Sequence, residues 1–381
     1  MTRLGDVADF INGGSWSDKE YTDTGIIVVK VTNLKNGTVD LNEVNYIPES
    51  SLDKYGRHLL RKGDLIIATV GSHPNLIASA AGRATIIPSI DEGALLNQNA
   101  LCIRTNSDDL HQGYLGYLGK SELFQGYVKS VGRGAANQVR IALGLIKEFS
   151  FQLPPLPTQR KIATILSAYD DLIENNLKRI KLLEEKAFVT YKGIVSSEEM
   201  EEFTIDELAN VVMGQSPTSN TYTDEKDNLP FHQGVTNFSN YFVVHKIYCK
   251  APIKIAEEGD ILFSVRAPVG RINFTTERIC IGRGLCAFRS KKGFQNYFYH
   301  QLKDFFFEED VIGNGAIFNA VTKAELMKVK LKTPSEKIQK EFEIESKQIY
   351  DLILNLTKQN TKLREARDIL LPRLMNGQIE V

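Results

Sequence analysis

Two stretches of the chain carry apolar residues at heptad-like spacing. The first runs Ile162, Leu166, Tyr169, Ile173, Ile180, Leu183 and Ala187, with Asn176 as a polar interruption; the second runs Ile349, Ile353, Leu356, Leu363 and Leu370, with Asn360 in the seam. This period predicts two long amphipathic helices, the first with a seam of about four heptads. Leu153-Pro154-Pro155-Leu156-Pro157 sets an extended entry to the first helix, Thr158 is placed to cap it and Gly193 to stop it. The second enters through Pro334 and Ser335 and ends at Pro372 and Gly377. Outside these stretches the apolar runs are strand-sized, as in Leu65 to Val70 and Ile261 to Val265. Their β-branched and aromatic residues alternate between Gly, Pro, Asn and Asp turns, which predicts β-rich α+β bodies.

The pattern occurs twice, in the same order. Leu4-Gly5-Asp6-Val7 followed by Gly13-Gly14-Ser15 is answered by Ile205-Asp206-Glu207-Leu208 followed by Gly214-Gln215-Ser216. Val31-Thr32-Asn33-Leu34 is answered by Val235-Thr236-Asn237-Phe238, Gly63-Asp64 by Gly259-Asp260, Gly82-Arg83 by Gly270-Arg271, and Ala100-Leu101-Cys102-Ile103-Arg104 by Leu285-Cys286-Ala287-Phe288-Arg289. Gly134-Ala135 and Gly315-Ala316 close the two series. Such self-similarity is the mark of a duplicated architecture. The offset between copies shrinks along the chain, so the second copy has shorter loops on a shared frame.

Each helical seam needs a partner, and the other seam is the economical one. Two halves related by an approximate twofold axis would pair their helices antiparallel, with Asn176 and Asn360 as register devices. The expected fold is therefore α+β, with two β-rich domains in pseudo-twofold repeat separated by two long antiparallel coiled-coil helices. Its expected boundaries are 1–154 for the first domain, 155–197 for the central helix, 198–333 for the second domain and 334–381 for the C-terminal helix. The offset from Gly193 to Gly377 also suggests about one extra turn in the second helix.

The 381 residues are 42% hydrophobic and 24% charged, enough for sizeable cores. Lys plus Arg is 46 against Asp plus Glu 47, so net charge neither points to a polyanionic partner nor excludes a local basic face. Cys102, Cys249, Cys280 and Cys286 form no CxxC pair and read as reduced, buried thiols. No export signal and no run of membrane-spanning length is visible, so a cytoplasmic protein is expected.

Catalytic motifs fail on inspection. Gly113 to Ser121 (GYLGYLGKS) misses the glycine spacing of a phosphate-binding loop, and the Gly pairs 132/134, 282/284 and 313/315 lack the third glycine of a dinucleotide fingerprint. His58, His73, His111, His232, His245 and His300 stand singly, without compact metal-ligand spacing, and read as surface or base-contacting residues. Neither a GxSxG elbow nor an NPPY/F-type methyltransferase tetrapeptide occurs, so neither catalysis nor a metal site is expected. The variable stretches instead hold amides, guanidiniums and lysines beside glycines. In the first half these are Lys30, Asn33, Ser72, His73, Asn75, Arg83, Asn97, Gln98, Asn99, Arg133, Asn137, Gln138 and Arg140. In the second they are Gln215, Ser216, His232, Gln233, Asn237, Arg266, Arg271, Arg283, Asn314 and Asn319. Asn and Gln can pair with adenine edges and Arg with guanine, while basic residues also neutralise phosphates; the same residue types build ordinary turns.

The repeat, the Pro-rich entry and the two helices together resemble the specificity subunit of type I restriction-modification systems. Leu153 to Ile165 (LPPLPTQRKIATI) is similar to that family's junction between target-recognition domain and spacer helix, and Gly63-Asp64 and Leu371 to Val381 (LPRLMNGQIEV) to its other landmarks. Leu331 to Gln339 (LKTPSEKIQ) lacks the double proline of the first junction. The resemblance implies a non-catalytic reader of double-stranded DNA, each domain taking one half-site of an asymmetric bipartite sequence. It also implies two modification subunits that methylate adenine with S-adenosylmethionine, and restriction subunits that use ATP and Mg; no cofactor is expected in this chain. A protein-binding scaffold without DNA contact is the alternative, and a cryptic nuclease or methyltransferase a more distant one.

Overall fold

The computed structural model describes residues 1–35, 38–41, 44–71, 81–88, 93–135, 138–239, 241–307 and 320–381. The chain forms two compact units, Met1–Asn176 with Gln359–Val381, and Leu177–Lys358.

In unit 1 the strands of the two main sheets are β1 (Ala8–Asn12), β2 (Ile26–Val29), β3 (Asn45–Ile47), β4 (Leu65–Ala68), β5 (Ala84–Ile86), β6 (Leu95–Leu96) and β7 (Ala100–Thr105). They are followed by helix α1 (Gln112–Lys120) and the start of the long helix α2 (Leu156–Ser197). An antiparallel sheet is ordered β1-β7-β4-β5, and beside it β6 runs parallel to β2, which pairs antiparallel with β3. β4 is buried along its whole length, which is why it reads as a continuous apolar run with no alternation. The stretch that looked like a phosphate loop is α1. An added Cβ on Gly119 would lie 2.6 Å from the Leu65 methyls, so that glycine lets the helix approach the sheet.

Unit 2 repeats the plan with β8 (Ala209–Met213), β9 (Leu229–His232), β10 (Ile261–Ser264), β11 (Ile272–Phe274), β12 (Ile279–Ile281), β13 (Leu285–Ser290), helix α3 (Gln295–Phe307) and helix α4 (Glu336–Met375). Its main sheet is ordered β8-β13-β10-β11, and β9 runs parallel to β12. The sequence repeat is thus a structural one, and the fold is α+β with two β-rich bodies of the same topology.

One polar clasp recurs in both bodies and explains the Gly-Asp stations. Gly63 and Gly259 adopt φ +84° and +81°, which turn the chain into β4 and β10. Asp64 accepts from Arg61 N at 2.7 Å and from the Arg104 fork at 2.6 Å; Asp260 accepts from Glu257 N at 2.8 Å and from the Arg289 fork at 2.7 and 2.8 Å. Gln112 and Gln295 each donate to the turn glycine's carbonyl, at 2.8 and 2.9 Å. The clasp ties the central strands to the helix that follows.

The long helices are paired antiparallel within each unit. In unit 1, Asp170 meets Arg367, and Asn176 Nδ2 donates to Asn360 Oδ1 at 3.0 Å. In unit 2, Lys186 lies 3.1 Å from Glu345, and Tyr191 packs edge-on to Phe342. Ile162, Leu166, Ile173, Asn176, Ile180, Ile349, Ile353, Leu356 and Asn360 are buried, whereas Tyr169, Leu183, Leu363 and Leu370 are partly buried. The seams do double duty: Ile162, Leu166 and Leu370 join the unit 1 core, and Ile180, Ile349, Ile353 and Leu356 the unit 2 core.

The helix ends correct three expectations. α2 begins at Leu156, so Thr158 lies inside the first turn and does not cap it; Gln159 Nε2 instead bonds the Pro154 carbonyl at 2.8 Å, as Gln339 does for Pro334 at 3.0 Å. Gly193 does not stop α2, because Tyr191, Ile194 and Val195 on the last turns pack against Tyr297 and Phe342. Pro372 lies inside α4, whose last turn is held by Leu374 and Met375 in the unit 1 core.

Candidate nucleic-acid interface

In each unit, three segments converge where β6 or β12 hands over to the next strand. In unit 1, Asn97 N donates to Val29 O at 2.9 Å, Gln98 N to Gly14 O at 2.7 Å and Gly14 N to Leu96 O at 2.8 Å. In unit 2, Gly282 N donates to His232 O at 2.8 Å, Gln215 N to Ile281 O at 3.0 Å and Gly284 N to Gln233 O at 3.1 Å. The approach is so close that a Cβ on Gly13 would sit 1.9 Å from Asn97 O, and one on Gly214 2.2 Å from Gly282 O. Glycine before the turn is a steric requirement in both copies.

The matched bonds make Lys30 the counterpart of Gln233, Gln98 of Arg283 and Gly14 of Gln215. On the same backbone the two units therefore present different side chains. Gln98, Asn99, Gln215, Gln233 and Arg283 are exposed, and Lys30 and Asn97 are half-buried. Asn99 holds φ +68°, a left-handed conformation that Asn tolerates, and its carbonyl accepts from Thr69 N at 2.8 Å. Lys30 Nζ stands 4.5 Å from the centroid of the Tyr21 ring. Ser216 Oγ accepts from Arg283 N at 3.2 Å and donates to Gln233 Oε1 at 2.8 Å.

A family model for the type I restriction modification DNA specificity domain matches residues 1–185 and again residues 197–367. The chain belongs to this family. It is similar to the putative type I restriction enzyme MjaX specificity subunit of Methanocaldococcus jannaschii, with 29% identity over 402 residues, covering 100% of this chain and 93% of that protein. It is also similar to the MjaIX specificity subunit of the same organism, with 24% identity covering 72% of this chain and 70% of the relative. The crystal structure of a type I system S subunit from M. genitalium matches with a TM-score of 0.60 at 17% identity, covering 98% of this chain and 95% of that one, a likeness of fold. As a specificity subunit, the protein is the non-catalytic, DNA-recognising member of its system.

Within this specificity subunit the candidate residues fall into distinct groups. The loop clusters gather Lys30, Asn97, Gln98 and Asn99 in unit 1, and Gln215, Ser216, Gln233 and Arg283 in unit 2. Arg266 and Arg271 are exposed on the hairpin between β10 and β11, and Arg140 is exposed on a strand whose partner includes Arg133. Asn237, half-buried, lies in the turn after β9. Arg83 is half-buried and donates to Leu34 O.

Two expectations are corrected by burial. Asn33 is buried, with Oδ1 accepting from Lys30 N at 2.9 Å and Nδ2 donating to Asp40 O at 3.0 Å, so it shapes the turn. His232 is 1% exposed and faces His245, Nε2 to Nδ1 2.9 Å; burial, with His245 opposite, pushes its pKa down to about 4. The reading of the histidines as surface groups fails likewise for His58 and His300, both buried. Ser72, His73, Asn75, Asn137, Asn314 and Asn319 lie outside the described residues, as do the side chains of Arg133 and Gln138.

Sequence reasoning missed Tyr21 and Glu277, and it read His245 only as a lone surface or base-contacting histidine. His245 Nε2 lies 3.2 Å from Glu277 Oε1, so the pair backs His232 at the end of β9, next to Gln233. Nothing local in the sequence links these positions, since pairing across loops brings them together. All four cysteines are buried and unpaired, and burial raises the pKa of Cys102, Cys280 and Cys286, which suppresses thiolate formation. Among the described residues, no group of three His, Cys, Asp or Glu could hold a metal, and no helix is long and apolar enough to cross a membrane.

Proposed function

We propose that this specificity subunit reads an asymmetric bipartite site in double-stranded DNA, one half-site per β-rich body, and directs adenine methylation and restriction by partner subunits in the cytoplasm. The observation that carries the reading is the loop cluster present twice on one backbone plan with unlike side chains. Lys30, Gln98 and Asn99 stand in unit 1, and Gln215, Gln233 and Arg283 in unit 2. Like frames place each cluster against a groove in the same way, and unlike side chains select different bases. In this proposal residues 1–154 and 198–333 are the recognition domains, and the spacer helices at 155–197 and 334–381 fix the gap between half-sites. S-adenosylmethionine belongs to two modification subunits, and ATP with Mg to restriction subunits.

Inserting four residues after Lys178 and four after Lys358 lengthens both helices by about one turn, ~6 Å. Sequencing the methylated sites should show the same half-sites with a longer gap. Altered half-sites with an unchanged gap would refute the ruler. DNA binding by the assembled complex should also fall steeply with salt. A complex that shows no salt-dependent DNA binding would instead favour a protein scaffold.

A further inference from the structure

The side chain of Gln233 is exposed, yet it is held. Ser216 Oγ accepts the Arg283 backbone N–H at 3.2 Å, leaving the hydroxyl proton to give, and Gln233 Oε1 receives it at 2.8 Å. The same oxygen rests against Gly282, where an added Cβ would come within 2.4 Å of it. Gly282 N and Gly284 N meanwhile bond the carbonyls of His232 and Gln233, so the backbone beneath the side chain is fixed from both sides. A free surface glutamine can turn its amide over and offer either a donor or an acceptor. Here the acceptor is occupied and walled in, and the Nε2 donors remain.

We infer that Gln233, positioned by Ser216, reads a keto base, guanine or thymine, in the half-site of unit 2 and rejects an amino base at that position. The inference rests on the proposed DNA reading of these loops and adds a chemical rule to it. In the major groove guanine O6 and thymine O4 are acceptors, where adenine and cytosine place amino donors. Directed at the exocyclic position, an amide that offers only N–H groups bonds O6 or O4 of the first pair and meets a donor at N6 or N4 of the second, where adenine keeps only its N7 acceptor beside that amino group. The ordering of Gln233 is set before DNA arrives, so discrimination does not have to offset the entropy of fixing a glutamine. Unit 1 has Lys30 at this place, so the rule is confined to one half-site.

The test is selection of bound duplexes from a randomised library by the full chain with its co-expressed modification subunits. Gln233→Ala should flatten the preference at one base pair of the unit 2 half-site, and the wild-type base there should be guanine or thymine. Ser216→Ala should admit adenine or cytosine at that same position, lowering discrimination about ten- to a hundredfold, while the other half-site is unchanged. Ser216→Thr, which keeps the hydroxyl, should retain the wild-type preference and shows that the loop still folds. An adenine or cytosine preference at the Gln233-dependent position, or an unaltered preference in Ser216→Ala, overturns the inference. If Arg283→Ala alters the selected half-site but Gln233→Ala does not, the inference falls and the DNA reading stands. If Gln98→Ala, Gln233→Ala and Arg283→Ala all leave the selected sequences unchanged, base reading by these loops falls with it.

Discussion

The two Gly-Asp clasps allow a stability experiment with an internal control. Asp64 and Asp260 make the same bonds on the same topology, and both side chains are 3% exposed, but Arg104 is 16% exposed and Arg289 52%. Asp64→Asn removes the charge facing a guanidinium that water reaches poorly. Breaking a buried pair this way costs about 3–5 kcal/mol, because the remaining charge stays buried without its counterion. Asp260→Asn makes the same change, but hydration of the open Arg289 offsets part of the loss, leaving about 1.5–3 kcal/mol for the charge-assisted hydrogen bonding. The expected difference is therefore about 1–2 kcal/mol, with unit 1 the more sensitive. Hydrogen exchange read by mass spectrometry over β4 and β7, and separately over β10 and β13, measures both in one chain. Equal losses, or a larger loss in Asp260→Asn, would refute the assignment of the cost to Arg burial.

Three further outcomes follow from the helices and loops. Asn176→Leu should cost about 1–3 kcal/mol by leaving the buried Asn360 amide without its partner, and adding Asn360→Leu should recover most of it; additive losses in a double-mutant cycle would contradict the pairing. Burial of Glu184 pushes its carboxyl up to about 7 from 4.5, so the stability it contributes is complete below pH 4.5 and lost as pH rises through about 7. Glu184→Gln should accordingly be more stable than the wild type at pH 8, by at most about 3 kcal/mol, and no more stable at pH 4.5, measured by melting at each pH; parallel curves would count against a buried carboxyl. Gln98→Ala and Arg283→Ala should each alter one half-site and leave the other intact, as read by mapping methylated sites.

The errors at the helix ends have a common cause. At Gly193 and Pro372 local conformational preference predicts a helix end, because a glycine inside a helix costs about 1 kcal/mol and a proline about 3. Around Gly193 the burial of Tyr191 against Tyr297 and Phe342 outweighs that preference, and at Pro372 the burial of Leu374 does so. Thr158 looked like a cap because the prolines before it looked like breakers, yet proline suits a first helical turn, where backbone N–H groups have no partner within the helix. Asn33 and His232 looked like base readers because sequence shows residue type and not direction.

The seams, the duplicated order of stations, the strand-sized apolar runs and the Gly-Asp turns were determined by the sequence itself, because each depends on periodicity or on one residue's backbone freedom. The tertiary structure alone decided that Lys30 and Gln233 hold equivalent places, that His245 stands behind His232, and that Ser216 occupies the oxygen of Gln233. Those relations arise where segments far apart in the chain are brought within hydrogen-bonding distance, through the parallel pairing of β6 with β2 and of β12 with β9. Such pairings join strands separated by long connections, and no local spacing in the chain records them.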